Sequence, residues 1–126
     1  MKASPISLIL PDEKDKSYLV NLFDCPGHPN FWGEMCSALR ICDGALLVVD
    51  VIEGVMMGTE EIIKYLIKEK IHITVILNKI DRLILEMKIP PQDAYLKIKH
   101  TIEEINSVIC KCALKEKNLQ DLIISP

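Results

Sequence analysis

Two short apolar runs settle most of what a chain of this length can become. Ala45-Leu46-Leu47-Val48-Val49 ends in Asp50, and Ile73-Thr74-Val75-Ile76-Leu77 ends in Asn78. A run that is apolar at successive positions suits a strand covered on both faces, as in parallel sheets. Between the runs, residues 60–70 place Ile62, Ile63, Leu66 and Ile67 on one side and lysines and glutamates on the other. That three-and-four spacing is an amphipathic helix. Strand, helix and strand form the crossover that joins parallel strands.

The remaining pattern extends this unit. Residues 7–10 and 17–23 are short β-prone runs around the turn-like Pro11-Asp12-Glu13-Lys14-Asp15, and they predict a hairpin. Asn30 can cap a helix over 31–41, with Phe31, Met35 and Leu39 on one face. Gly33 weakens that helix by about 1 kcal/mol relative to alanine. Pro90-Pro91 suit a helix start, and Tyr95, Ile98, Ile102, Ile105 and Ile109 recur behind them at three and four residues. The whole is an α/β crossover domain, or part of one.

Composition sets limits on function. The 126 residues are 49% hydrophobic and 26% charged, with a formal net charge of −3. With no basic run, nucleic acid is not expected to be held by this segment's own charge. No apolar stretch is long enough to span a bilayer, so no membrane partner is expected. Cys25, Cys36, Cys42, Cys110 and Cys112 match neither zinc spacing nor a secreted disulfide framework, which points to reduced thiols. His72 and His100 read as a strand-entry and a helix-surface histidine, and no ligand role is assigned to either.

Two motifs carry chemistry. Asp24-Cys25-Pro26-Gly27-His28 follows an apolar strand and precedes a helix, where open α/β sheets bind ligands. An aspartate there can hold Mg²⁺, usually through water, and a glycine amide can meet a terminal phosphate unobstructed. Asp-x-x-Gly alone arises by chance in roughly half of chains this long, so it decides little. With Pro26 and His28 included, chance falls to well under about one in a hundred. Asn78-Lys79-Ile80-Asp81 follows the second apolar run. Guanine offers two adjacent donors, N1–H and the exocyclic amine, and a carboxylate such as Asp81 accepts both. Asn78 offers a donor and an acceptor, and the Lys79 stem can lie over a base or ribose. Chance yields those residues in roughly one or two chains in a hundred.

These motifs, with Asp50-Val51-Ile52-Glu53-Gly54-Val55, resemble the GTPase domain of the ribosomal translocase elongation factors. Leu10-Pro11-Asp12, Leu39-Arg40-Ile41, Glu53-Gly54-Val55-Met56, residues 78–86 and Pro90-Pro91 followed by Asp93-Ala94-Tyr95 are similar to the spliceosomal branch of that family, the GTPases of the U5 small nuclear ribonucleoprotein. The resemblance covers residues 2–126. It implies a three-layer P-loop GTPase domain, mostly parallel sheet with helices on both faces, its first strand and phosphate loop missing from the chain. It implies GTP/GDP and Mg²⁺ as ligands, with Asp24 serving Mg²⁺, Gly27 the γ-phosphate and His28 the attacking water. Asn78, Lys79 and Asp81 would hold the base. Partners would be a large Prp-type scaffold protein, an RNA helicase and small nuclear RNA, in the nucleus. A non-hydrolysing GTP-binding scaffold and a ribosomal translocation factor, which would be cytoplasmic, stand as alternatives; residues 82–95 count against the second.

Departures from the family pattern bear on hydrolysis more than on base recognition. Pro29 stands where valine is usual and pushes His28 toward extended backbone; Trp32-Gly33 replaces small and acidic residues. No Gly-x-x-x-x-Gly-Lys-Ser/Thr occurs in the 126 residues. By the resemblance, the chain runs as a partial domain (1–126) from just after the first switch to just before the last guanine-pocket loop, and reads as a cut piece. In the family fold, a strand lies between the strand ending at Phe23 and the strand ending at Asp50. With that strand missing, direct parallel pairing of the two survivors is expected.

Overall fold

Each apolar run forms the strand its pattern predicts. Residues 2–12 and 16–114 are described by the structure, a computed structural model. They fall into two compact units, Met1–Cys42 and Asp43–Pro126.

In the first unit, β1 (Ser4–Pro11) and β2 (Ser17–Asp24) form the expected hairpin, antiparallel from Ser4 opposite Asp24 to Pro11 opposite Ser17. The register puts Ile6 beside Leu22, Leu8 beside Val20 and Leu10 beside Tyr18 on one face. On the other face Ser7 Oγ donates to Asn21 Oδ1 at 2.8 Å. Residues 13–15 of the expected turn lie outside the described residues; beside them, Asp12 N–H donates to Lys16 C=O at 2.7 Å. A 3₁₀ turn, Pro29–Phe31, then leads into α1 (Trp32–Leu39).

The second unit is β3 (Gly44–Asp50), α2 (Met57–Lys68), β4 (His72–Asn78), α3 (Ile80–Leu85) and α4 (Pro91–Ala113). β3 and β4 are parallel, with Leu47 beside Val75, Val49 beside Leu77 and Asp50 beside Asn78. Leu47 and Val49 meet Ile63 and Ile67 of α2 and Ile105, Val108 and Ile109 of α4 in one core. Ile63 and Ile105 are fully buried, each contributing about 1.5–3 kcal/mol of transfer free energy. This is the α/β arrangement the runs implied, a parallel pair closed by its crossover helix.

Three expectations need correction. Cover on both faces is present on one face of the β3–β4 pair: Leu46, Val48 and Ile76, on the face opposite the core, are 58%, 57% and 41% exposed. An apolar run demands cover in principle, but among the described residues α2 and α4 supply apolar stripes to the other side alone. The expected direct pairing of β2 with β3 is not among the ladders of the described residues, where β2 is bonded to β1 and β3 to β4. What holds β3 to β4 is the stripe that α2 and α4 bury across both, whereas α1 has eight residues and buries Met35 and Ala38. The α4 stripe, finally, is buried over its second half only. Thr101, Ile105, Val108, Ile109 and Ala113 are buried, while Tyr95 is 64% exposed. Periodicity reports a face but not how far along a helix that face has a partner.

The two halves of α4 therefore separate in stability. Ile105→Ala is expected to cost about 2–5 kcal/mol by the cavity it leaves, and Tyr95→Ala within about 0.5 kcal/mol. Urea unfolding of the chain followed by circular dichroism checks both values.

Candidate functional site

Strand ends place the polar groups. Parallel strands in register bring Asp50 and Asn78 side by side at the carboxyl ends of β3 and β4, and Val51 N–H extends the ladder to Asn78 C=O at 3.2 Å. The Asp50 side chain is only a tenth exposed and divides its two oxygens between two tasks. Oδ1 accepts from Ile52 N–H at 2.8 Å, closing the local turn by which aspartate commonly ends a strand. Oδ2 lies 2.8 Å from Lys79 Nζ and 3.5 Å from Arg82 Nη1. The chain then turns at Gly54, whose φ of +70° is costly for other residues, with its N–H on Asp50 C=O at 2.9 Å.

Lys79 bears the strain of this corner. Its φ of 62° and ψ of 34° are left-handed, a conformation that costs a residue with a Cβ about 1–3 kcal/mol unless its surroundings hold it. Three contacts hold it. Asn78 Oδ1 accepts the Lys79 N–H at 2.8 Å, Lys79 C=O accepts from Arg82 N–H at 3.1 Å, and Asp50 takes the ammonium. Arg82 is itself steadied by a two-pronged contact to Glu86, Nε to Oε1 and Nη2 to Oε2, both at 2.8 Å. Asp81 stands exposed in the first turn of α3. Asn78, Lys79 and Asp81 thus come together in one strand-to-helix turn. The helix that follows was not predicted from sequence; at six residues it is too short to show a period.

Charge follows from these contacts. The Lys79 ammonium first, and then the Ile52 amide, hold the Asp50 carboxyl below its usual range. Arg82 does the same for Glu86, which in turn raises the guanidinium. Asp50 and Arg82 were not singled out from sequence as site residues. The signal for Asp50 was present: one carboxylate closing an otherwise apolar strand at its carboxyl end.

The other motif lies in the first unit. Asp24 is the exposed last residue of β2. Burial foremost, with Cys42, Asp24 and Glu34 nearby, pushes the Cys25 thiol up and away from thiolate chemistry. His28, exposed and extended at φ −76° and ψ 137°, caps the 3₁₀ turn. Its Nδ1 accepts from Asn30 N–H at 3.2 Å, and its ring meets Phe31 edge-on at 6.0 Å. Asn30 is therefore the capped residue and not the cap that the sequence suggested. The extended His28 is what a following proline imposes, and Pro29 sits in the first turn, where no amide is needed. A Cβ built on Gly27 meets nothing within 4 Å. Asp24, Gly27 and His28 share one loop, as expected; each loop is described within its own unit. Among the described residues, no group of three or more His, Cys, Asp or Glu could hold a metal ion. No helix among them is long and apolar enough to cross a membrane.

A parallel β-α-β unit with an Asn-Lys-x-Asp turn at its carboxyl edge belongs to the α/β class. The sequence pattern of the Elongation factor Tu GTP binding domain matches residues 1–125, and the chain belongs to that family. It is 54% identical over 109 residues to the 110 kDa U5 small nuclear ribonucleoprotein component CLO of Arabidopsis thaliana, covering 86% of this chain and 11% of that protein. It is 47% identical over 111 residues to the pre-mRNA-splicing factor cwf10 of Schizosaccharomyces pombe, covering 88% and 11%. The elongation factor-like GTPase 1 of Mus musculus matches at 45% over 108 residues, covering 86% and 10%. The chain thus spans about a tenth of the length of these relatives.

The ion pair carries a pH signature. A depressed folded value means that Asp50 adds stability above the ordinary aspartate value of about 3.9 and loses it as pH falls through the lowered value. An NMR titration of the Asp50 carboxyl carbon is expected to show a midpoint below about 3.9, and Lys79→Met to move it upward. An ordinary midpoint would mean that the pair does not form.

Proposed function

We propose that the complete protein carrying this chain is a GTPase of the spliceosome, a U5 small nuclear ribonucleoprotein component that hydrolyses GTP as a conformational switch in the nucleus. The observation that carries the reading is the turn at 78–81, which sets Asn78, a backbone-strained Lys79 and an exposed Asp81 at a parallel-strand end. The splicing assignment draws on the names of the relatives: the U5 component CLO, at 54% identity, and the pre-mRNA-splicing factor cwf10, at 47%, are more similar than the elongation factor-like GTPase 1, at 45%. A large scaffold protein, a helicase and small nuclear RNA belong to this proposal as partners.

The roles follow from chemistry. Asp81 accepts guanine's two adjacent donors, and a base without them leaves the carboxylate unmatched. Asn78 commits its carbonyl oxygen to the Lys79 amide, so its NH₂ is what it can offer the base or a neighbouring loop. Gly27 carries no side chain of its own to stand between its amide and a terminal phosphate, and a Cβ there would meet nothing within 4 Å. A lone carboxylate such as Asp24 fits Mg²⁺, which takes one or two protein carboxylates and fills its shell with phosphate oxygens and water. Bound there, the ion would neutralise charge developing on the phosphates. His28 commits Nδ1 to the Asn30 N–H, which leaves Nε2 as the ring atom that would meet and orient the attacking water.

Two measurements on the complete protein test this. His28→Ala is expected to keep GTP affinity within about twofold and reduce single-turnover hydrolysis by about 100-fold or more. Equal turnover would remove His28 from the reaction, and no hydrolysis above background in the parent would favour a non-hydrolysing scaffold. Asp81→Asn presents a donor where guanine's amine also donates and xanthine carries an acceptor. The GTP-to-XTP affinity ratio is expected to fall by about 100-fold or more, and an unchanged ratio would remove Asp81 from base reading.

A further inference from the structure

We propose that Asp50 is the positioning residue for Lys79, anchoring its ammonium so that the four-carbon stem is held as a fixed apolar bar for the purine ring. The inference rests on the guanine-nucleotide reading above and adds a residue outside the motif loops to it.

The argument is mechanical. Lys79 is fixed at both ends. Its backbone is locked left-handed by Asn78 Oδ1 and Arg82 N–H, and its head is 2.8 Å from Asp50 Oδ2. A lysine stem otherwise loses considerable rotamer freedom on ordering, a cost that would fall on nucleotide binding. Here that cost is met before any ligand arrives. Asp50 suits the task because it cannot move: it closes β3, is a tenth exposed, and commits Oδ1 to Ile52 N–H. Arg82, gripped by Glu86, stands 3.5 Å from the same oxygen and gives it a second positive neighbour. The Lys79 side chain is 47% exposed, so the stem is tied without being covered.

Asp50→Asn is the sharp probe. It keeps an oxygen for the Ile52 amide and places an NH₂ donor against the ammonium, so the turn survives while the anchor is lost. In the complete protein, displacement of a fluorescent guanine nucleotide should show GTP weakened about tenfold. ITP, which lacks the exocyclic amine, should weaken by the same factor, because the stem touches the ring and does not read the amine. In a Lys79→Met background, the same substitution should change affinity by less than about twofold. Equal losses in the parent and in the Lys79→Met background would overturn the inference while leaving the nucleotide site standing. A parent protein that binds no GTP would overturn both. Should Asp50→Asn not fold, Lys79→Met, at an exposed position, is decisive by itself: binding as tight as the parent's would overturn the proposal.

Discussion

Burial of the α2 and α4 stripes against one face of the β3–β4 pair is the constraint on which the second unit depends. Ile63, Ile67, Ile105, Val108 and Ile109 pack on Leu47 and Val49, with Ile73, Val75 and Leu77 completing the layer. Side chains alternate along a strand, so a slip of one residue would turn Leu47 and Val49 to the opposite face. Hydrophobic packing therefore fixes register, and register fixes which residues meet at the carboxyl edge. Asp50 beside Asn78 is the chemical result of a choice made by isoleucines a turn or more away.

From that edge the polar architecture follows. A carboxylate ending a buried strand has little water to solvate it and recruits the nearest cations, Lys79 and Arg82. Lys79 can answer only because its backbone has turned left-handed, and the Asn78 side chain secures that turn. Strain, ion pair and hydrogen bond support one another, so that the surroundings hold a backbone conformation that is costly alone. The hairpin unit works the opposite way. Its loop at Asp24–His28 is held by local bonds, a histidine cap and a proline in the first turn, without burial of the groups that matter.

The chain belongs to a GTP-binding family, and the relatives extend far beyond the present chain. Leu46, Val48 and Ile76 lie exposed on the face of β3 and β4 opposite the core. Successive apolar residues in a strand state a requirement for cover that the described helices meet on one side.

By itself the sequence determined the elements and where along them the two motifs fall. Apolar runs and three-and-four spacings located the four strands and three of the four α-helices among the described residues, and both motifs fell in strand-to-helix turns. Local pattern suffices there because periodicity and turn residues act over a few positions. Only the tertiary structure decided which face of the β3–β4 pair is covered, how much of α4 is buried, and that Asn30 is capped by His28. Those outcomes depend on partners distant in sequence or on competition between neighbouring groups, which no local pattern encodes. The joining of Asp50 to Lys79 is the clearest case. The two lie 29 positions apart, and what makes them partners is a parallel register set by the core beneath.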